Sequence, residues 1–424
     1  MQIDTRRKEA EHVKKNAAPP VQRASTAIRV VIATLFPQFA FGLGFVWIGI
    51  APYAMQQSHW SSFVIEAIYA LTPLSASLTF LFSGRLVTKV SPRTLSWLGV
   101  GLLAGGQAVA FLLPNEFTFL IFYAVLALGV GYGFALVAAL AALAQTFPRR
   151  IGTAGGALSA AYGLAAVAEI PLISYLTLAN SWITALRIAG TSVTILAVVA
   201  MLCMPAIPPS HERAAGGVLP LRLLKRHRVA TAVLLEILAV PLGSYALSQV
   251  GISAQDLRLA AAFGTAAVML AAITNTLGRF TSGLLSDHLH VEVVMLVIVL
   301  LDATGGLLLW RTDAAPVLLI ASGMVGLACG GLSGAVPRLA HDAFPDAFNT
   351  TSGLLYAAFA LGSFTGPLLG STFGGGKTAW FVLGSISASA LVVLVLRIVK
   401  ASHRSQNGEG GKSPTHVLEG SHKD

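Results

Sequence analysis

Long apolar segments separated by short polar loops run through most of the chain. A helix needs about 20 apolar residues to cross roughly 30 Å of hydrocarbon, and twelve segments are long enough. They lie near residues 29–55, 62–83, 94–113, 117–146, 152–178, 182–206, 230–251, 257–283, 291–310, 314–336, 348–371 and 377–398. The pattern therefore predicts an all-α membrane protein with twelve transmembrane helices.

A repeated sequence divides these segments into two groups of six. The stretch FPRRIGTAGGALSAAYGLA at 147–165 aligns with FPDAFNTTSGLLYAAFALG at 344–362, an offset of 197 residues. A shorter match, SGRL at 83–86 with SGLL at 282–285, has an offset of 199 residues. Two parallel six-helix repeats with a binding site between them are typical of secondary transporters.

The repeat and the loops predict five parts. They are an N-terminal tail at 1–28, a six-helix bundle at 29–206, a linker at 207–228, a second six-helix bundle at 229–398 and a C-terminal tail at 399–424. The tails and the linker are polar and basic, so we expect them to lie in water on one side of the membrane.

The charge distribution predicts the orientation. Only 11% of the residues are charged and 55% are hydrophobic, yet the net charge is +10. The lysines and arginines are concentrated in both tails, the linker and alternate loops, which is how membrane topology is set. We therefore expect both termini in the cytoplasm and the protein in the cell membrane, and the basic charge does not indicate nucleic-acid binding.

Two stretches resemble a known family. They are GVGYGFALVAALAALAQTFPRRIGTAGGALSAAYGLA at 129–165 and NTLGRFTSGLLSD at 275–287. The chain resembles major facilitator superfamily transporters over roughly residues 27–400, and within them the oxalate/formate antiporter and monocarboxylate transporter branch. The resemblance implies two pseudo-symmetric bundles, alternating access, a monomer and no cofactor.

The loop after the second segment resembles the superfamily's gating loop, whose pattern is Gly-x-Leu-x-Asp-Arg-x-Gly-Arg. Here Gly84 fits that pattern, Thr88 replaces its aspartate, and Arg93 lies one residue beyond the position of its last arginine. Threonine can still cap a helix but brings no charge. The copy in the second half, from Gly283 to Asp287, keeps the acid. We expect these five residues to form gates; in the alternative interpretation the first loop is only a basic topology anchor.

Arg279 lies inside an apolar segment, where an arginine costs roughly 2.5–3.5 kcal/mol even on lenient insertion scales. Asn275 precedes it by one helical turn and shares its face. The equivalent residue in the first repeat is Phe80, so the charge is not part of the repeated scaffold. The resembled branch has an arginine here that binds the substrate carboxylate, and its proton-coupled members have an aspartate where this chain has Asn275. The alternative is that Arg279 lies low enough to snorkel to the membrane surface or to pair with Asp287.

Aromatic residues fall on the segments that line the cavity in the resembled family. Phe45, Tyr132, Tyr162 and Tyr356 lie on the first, fourth, fifth and eleventh segments. A tyrosine offers both an apolar wall and a hydroxyl donor to a carboxylate. We therefore expect these rings to wall a substrate cavity, with ordinary packing as the alternative for each one.

Carboxyl groups within apolar segments are candidates for ion coupling, since a buried carboxyl group can cross the membrane protonated and neutral. Glu66, Glu169, Glu236 and Asp302 are candidates on this ground, although Glu66 lies near the end of its segment and Asp302 lies on a segment that is usually peripheral. Glu236 lies within two turns of the basic end of its segment, where pairing with Arg226 or Arg228 is expected.

These observations predict a secondary transporter of a small organic anion, most simply a monocarboxylate, that works by alternating access. A proton or a counter-transported anion is the expected coupling partner. The alternative is an exporter of drugs or cations that uses Glu169 or Asp302. A membrane enzyme is disfavoured because no clustered catalytic motif, such as His-Glu-x-x-His, is present. No metal site is predicted.

Overall fold

The computed structural model of the protein describes residues 20–210, 220–258, 261–311, 314–373 and 377–406. Within these stretches the chain is helical and contains no strand. The predicted tails and linker fall partly outside the described residues, at 1–19, 211–219 and 407–424.

Each predicted apolar segment forms a long helix, which confirms the all-α fold. In chain order the helices are α1 (Pro20–Phe41 and Leu43–Gln57), α2 (Ser62–Leu86), α3 (Pro92–Leu112), α4 (Glu116–Thr118, Phe119–Gly131 and Tyr132–Thr146), α5 (Ile151–Ala179), α6 (Trp182–Leu202), α7 (His227–Asp256), α8 (Ala261–Ser286), α9 (Val291–Trp310), α10 (Ala315–Ala343), α11 (Phe348–Thr372) and α12 (Lys377–Gln406). Among the described residues, eleven of them are long and apolar enough to cross a membrane. The exception is α8, which carries Arg279.

Several helices extend beyond the boundaries that the sequence predicts. Helix α1 begins at Pro20 and α12 continues to Gln406, so both reach into the predicted tails. Helix α7 begins at His227, directly after a 3-10 helix at Pro220–Lys225. Hydropathy locates only the apolar part of a helix, whereas backbone hydrogen bonding continues into the water-exposed turns.

Helix α4 contains a feature that the apolar pattern does not show. Its middle part, Phe119–Gly131, is a π-helix, with α-helical turns on either side. In a segment where every residue is apolar, α-helical and π-helical spacing produce the same hydrophobic pattern. The sequence therefore could not distinguish the two types of helix.

The two halves meet along two seams, α2 against α11 and α5 against α8, which the internal repeat relates to each other. A Cβ atom added at Gly156 would lie 3.0 Å from the Cα of Gly283. One added at Gly353 would lie 3.5 Å from the Cα of Gly84. The four glycines are equivalent pairs at offsets of 197 and 199 residues, so both seams allow close backbone approach.

Both seams lie near the face of the bundle where α2 and α8 end and α5 and α11 begin. We call this face the basic face, because its loops and helix ends carry Arg85, Lys89, Arg149, Arg150 and Arg338. The other side is called the opposite face. The prediction that the basic face is cytoplasmic remains a prediction.

Candidate functional site

A cavity of about 390 Å³ lies between the two halves, beyond the seams. All six predicted substrate-binding residues lie on its wall: Phe45, Tyr132, Tyr162, Asn275, Arg279 and Tyr356. The cavity also includes Ser371 in the last turn of α11, so it extends from the level of Arg279 toward the opposite face.

Arg279 is held by side chains from both halves and is only 7% exposed. Its Nε donates to Oδ1 of Asn275 at 2.8 Å, and its Nη1 donates to Oγ of Ser159 on α5 at 2.9 Å. Ser159 in turn lies 3.0 Å, Oγ to Oγ, from Ser333 on α10. A guanidinium has five N–H donors, so the remaining N–H groups are available to a ligand. Arg279 does not pair with Asp287, which was the alternative expectation.

Asn275 supplies a second donor beside the arginine. Its Oδ1 accepts the hydrogen bond from Arg279, while its Nδ2 is buried and has no hydrogen-bond partner among the described residues. A buried donor without a partner is costly.

Aromatic rings form a continuous row at the level of Arg279. The guanidinium carbon lies 5.5 Å from the centre of the Tyr162 ring, within the range of a cation–π contact. Tyr162 and Tyr132 have their ring centres 4.9 Å apart, and Tyr132 and Phe80 have theirs 5.4 Å apart. Phe80 is also 5.8 Å from Tyr356. The row closes the end of the cavity nearest the basic face.

Among the described residues, Arg279 is the only ionised side chain on the cavity wall. The rest of the wall consists of aromatic, aliphatic and hydroxyl side chains with Asn275 and Cys329. A positive charge in a poorly solvated cavity favours an anion and disfavours a cation.

The two predicted coupling carboxylates lie away from the cavity wall. Glu169 is 2% exposed, and neither of its carboxyl oxygens has a hydrogen-bond partner among the described residues. Asp302 is fully buried against α7, where a Cβ atom added at Gly243 would lie 2.7 Å from its Oδ1. Neither carboxylate is placed to contact a ligand in the cavity.

The expectation for Glu236 is wrong. Its side chain is fully buried and neither carboxyl oxygen has a hydrogen-bond partner among the described residues. Arg226 instead lies 4.1 Å above the ring of Phe344, and Arg228 is exposed. The sequence gives the depth of Glu236 along its helix, but the face of α7 that it occupies is set by packing against α11.

Asp287 closes the seam between α5 and α8 at the basic face. Its carboxylate accepts hydrogen bonds from the backbone N–H groups of Gly152 and Thr153, at 2.9 and 2.7 Å, and from Oγ1 of Thr153 at 2.7 Å. These groups form the N-terminus of α5, where a negative charge is stabilised by the helix dipole. Nη1 of Arg338 lies 3.9 Å from the same carboxylate.

The equivalent loop in the first half is built differently. Oγ1 of Thr88 donates to the backbone carbonyl of Arg85 at 2.8 Å, within its own loop. The Thr88 side chain therefore bonds within its own loop, whereas Asp287 bonds to the N-terminus of another helix. Arg93 is exposed and makes no ion pair with any described residue. The gate contacts are thus asymmetric between the halves.

Several site residues escaped the sequence-based prediction. Ser159, Ser333 and Cys329 carry no charge or motif that would distinguish them from ordinary membrane residues. One signal was present for Ser159, since the repeat aligns it with Tyr356 at the offset of 197 residues. That alignment places Ser159 at the same seam position in the first half.

Comparison with protein families gives one match, to a model described as Major Facilitator Superfamily, over residues 32–310 and 230–421. Among curated proteins, the pig facilitated glucose transporter member 2 of solute carrier family 2 is 32% identical over 136 residues. That match covers 31% of this chain and 26% of the glucose transporter, so the chain spans about a quarter of that relative's length.

Solved structures share the fold over nearly their whole length. The fucose transporter FucP in the outward conformation has a TM-score of 0.69 at 15% identity, covering 87% of this chain and 98% of that one. The proton:xylose symporter XylE has a TM-score of 0.67 at 14% identity, covering 87% and 95%. The human organic anion transporter MFSD10 has a TM-score of 0.64 at 17% identity, covering 89% and 100%. At these identities the likeness concerns the fold alone.

Proposed function

The chain belongs to the major facilitator superfamily of transporters, and we propose that its cargo is a small organic anion, most directly a monocarboxylate, held by Arg279. In this proposal the two halves rock about the cavity, so that the site faces each side of the membrane in turn. In this proposal the cargo is of the kind carried by the oxalate/formate antiporter and monocarboxylate transporter branch, which the sequence resembles.

The proposal rests on the hydrogen bonds that hold the Arg279 side chain at the cavity wall. Its Nε and Nη1 are each used once, by Asn275 and Ser159, which fixes the plane of the guanidinium at the cavity wall. A fixed guanidinium grips a carboxylate through two parallel N–H donors. Asn275 contributes by holding the guanidinium through its Oδ1, on the same helix face. These groups together match one carboxylate.

The size of the cavity bears on the rest of the ligand. A volume of 390 Å³ corresponds to about a dozen water molecules at roughly 30 Å³ each. Formate would leave most of this space as water beside Phe45, Phe80 and the tyrosine rings. We therefore expect carboxylates with an apolar body to bind better than formate. A second cation that a dicarboxylate would favour is not found on the described cavity wall.

The closed seams support an assignment of the conformational state. Asp287 and the paired glycines hold the halves together near the basic face, while the cavity extends toward the opposite face. If the basic face is cytoplasmic, as its charge predicts, this conformation faces outward. Transport would then require the hydrogen bonds of Asp287 to break.

The alternative cargo, a drug or cation, has less support. Glu169 and Asp302 were its expected attracting charges, and both lie away from the cavity wall. A cation in this cavity would instead meet the positive charge of Arg279. The two proposals therefore predict opposite dependence on the sign of the substrate's charge.

Uptake into proteoliposomes tests the proposal. Labelled formate, lactate and pyruvate would be compared with labelled tetraethylammonium and xylose, using the intact chain. We expect saturable carboxylate uptake that Arg279→Ala abolishes and that Arg311→Ala, a matched change outside the cavity, preserves. Carboxylate uptake that survives Arg279→Ala, or selective uptake of the cation or the sugar, would contradict the proposal.

A further inference from the structure

Glu236 is the buried charge that the proposed function leaves unexplained. It lies on α7, is 0% exposed, and neither carboxyl oxygen has a hydrogen-bond partner among the described residues. An ionised side chain without a partner inside a membrane helix is expensive, and such residues mark ion or proton pathways. The carboxyl group therefore needs either a proton or a compensating positive charge.

Tyr356 connects Glu236 to the cavity. Helix α11 packs against α7 beside Glu236, since a Cβ atom added at Gly362 would lie 3.4 Å from the backbone oxygen of Glu236, and Tyr356 on the same helix lines the cavity. Glu236 itself is not on the cavity wall. The tyrosine hydroxyl can both donate and accept a hydrogen bond. The hydroxyl group of Tyr356 lies 3.5 Å from the backbone carbonyl oxygen of Ser333 and forms no hydrogen bond with Glu236, so proton transfer by this route requires the tyrosine side chain to turn toward α7.

The internal repeat shows that the second half alone carries this arrangement. Gly42, which joins the two parts of α1, packs on Ala165 of α5. In the same way, Val240 of α7 packs on Gly362 of α11. This pairing relates α1 to α7 by an offset of 198 residues, which places Gln38 opposite Glu236.

Gln38 repeats the burial of Glu236 without its charge. It is also 0% exposed, and neither atom of its side-chain amide has a hydrogen-bond partner among the described residues. The first half therefore has a neutral amide where the second half has a carboxyl group, just as it has Phe80 where the second half has Arg279. The second half therefore carries both ionisable residues, Arg279 and Glu236, and the first half has uncharged residues at both equivalent positions.

We propose that Glu236 is the group that carries a proton with each transported anion, an inference that rests on the proposed function. In the empty transporter Glu236 is ionised and balances the charge of Arg279. On loading, one proton from the cavity binds the Glu236 carboxylate while one substrate carboxylate binds Arg279. Both are released on the other side, which restores the ionised pair. One proton moves with one monocarboxylate, and no net charge crosses the membrane.

The balance explains why both forms of the protein can rearrange. In the empty form the Arg279 cation and the Glu236 anion sum to zero. In the loaded form Arg279 and the substrate sum to zero, and Glu236 is neutral. A form with substrate on Arg279 and Glu236 still ionised would bury a net negative charge, which a low-dielectric interior disfavours. Binding of the proton and binding of the anion therefore favour each other.

Other ionisable groups on the elements packed against α7 are placed less well for this role. They are Tyr356 on α11, Arg279 on α8, Asp302 on α9, Cys329 on α10, Arg397 on α12, and Arg222, Lys225 and Arg226 in the segment before α7. Arg397 already pairs with Glu292, at 3.1 Å. Among the described residues no group forms a hydrogen bond with the Glu236 carboxyl group, and of the groups named here Tyr356 is the one that lies both on the cavity wall and on α11, the helix packed beside Glu236.

The other buried carboxylates provide matched controls. Glu169 is not on the cavity wall. Asp302 lies against Gly243, seven residues from Glu236 and about 10 Å farther along the helix. Asp302 is not on the cavity wall, and neither of its carboxyl oxygens has a hydrogen-bond partner among the described residues.

The test compares two assays on the reconstituted full chain with labelled lactate. Exchange of lactate at equal pH on both sides needs only binding and rearrangement, whereas accumulation against a gradient needs proton coupling. For one proton per anion, a gradient of one pH unit supports about tenfold accumulation. We expect Glu236→Gln to keep exchange within about threefold of the wild type and to lose both accumulation and lactate-dependent proton uptake. Glu169→Gln and Asp302→Asn should keep all three activities.

The outcomes separate this inference from the proposed function. Wild-type protein that exchanges lactate but does not accumulate it on a pH gradient, or Glu236→Gln that still accumulates it, overturns the inference and leaves the anion site standing. Wild-type protein that exchanges no monocarboxylate overturns the proposed function. If Glu236→Gln loses exchange as well, Glu236→Asp decides, because it retains a carboxyl group. Restored accumulation supports the inference, and its absence overturns it.

Discussion

The guanidinium of Arg279 donates a hydrogen bond to Ser159 across the two halves, at 2.9 Å. The residues equivalent to these two in the repeat are Phe80 and Tyr356, whose ring centres lie 5.8 Å apart. Equivalent positions at the two seams thus form an aromatic contact between α2 and α11 but a hydrogen bond from a cation between α8 and α5. The scaffold is repeated, whereas the charged binding chemistry is present once.

Replacing Ser159 by alanine tests whether that hydrogen bond orients the site. A hydrogen bond to a charged group contributes about 1.5–3 kcal/mol, and part of this would be recovered from the ligand or water. We expect the KM for monocarboxylate uptake to rise about tenfold, with a smaller change in kcat. Ser192→Ala is the control, since Ser192 is exposed and bonds only to its own helix. Equal effects of the two substitutions would contradict the assigned role.

Substitutions of Arg279 separate charge from geometry. Arg279→Lys keeps a positive charge but loses the planar fork, so we expect monocarboxylate affinity to fall about 10- to 100-fold. Arg279→Gln removes the charge as well and should abolish measurable binding. The measurement is competition for labelled substrate in purified protein. An Arg279→Lys protein that binds the substrate as tightly as the wild type would show that only the charge matters.

The gate at Asp287 predicts a shift in conformation. Asp287→Asn removes the negative charge at the N-terminus of α5 and weakens three accepted hydrogen bonds. We expect the basic face to open more often and the cavity to become less accessible from the opposite face. The rate of Cys329 labelling by an impermeant reagent added at the opposite face should therefore fall severalfold.

Asp346→Asn is the matched control for that experiment. Asp346 is an exposed carboxylate just before α11, in the loop equivalent to the start of α5. The Asp346→Asn substitution should leave the rate of Cys329 labelling unchanged. The reverse change, Thr88→Asp, adds an acid to the first-half loop and should slow opening of the basic face. No effect of Asp287→Asn would remove that residue from the gate.

Close approach at the α5–α8 seam predicts a steric effect. A Cβ atom added at Gly283 would lie 2.7 Å from the Cα of Gly156, backbone that cannot rotate away. At Gly323 the nearest atom would lie 3.9 Å away. We expect Gly283→Ala to lower the midpoint of thermal unfolding and to slow transport, while Gly323→Ala changes neither. Similar behaviour of the two variants would show that the seam tolerates separation.

Much of the fold and part of the site could be predicted from the sequence. The length of the apolar segments determines the helices, since every backbone polar group must be paired within the membrane. The cost of one arginine in an apolar run directed attention to Arg279 and Asn275, and the structure places both at the cavity wall. Whether they bind substrate remains a prediction.

The sequence could not show which neighbours each side chain meets. Glu236 has the right depth to pair with Arg226, but its side chain is fully buried and Arg226 lies over the ring of Phe344 instead. Thr88 could cap another helix or bond locally, and only the loop conformation decides between them. The π-helix in α4 leaves no mark in an apolar run. Each case depends on tertiary packing, which hydropathy does not encode.

Protection of Cys329 tests the central claim most directly. Cys329 is 6% exposed on the cavity wall, and Cys203→Ser removes the other thiol, which lies at the end of α6. Lactate should slow alkylation of Cys329 severalfold, whereas lactamide, which has the same shape without the charge, should not, and Arg279→Gln should abolish the protection by lactate. Equal protection by lactate and lactamide, or protection that survives Arg279→Gln, would contradict a carboxylate site built on Arg279.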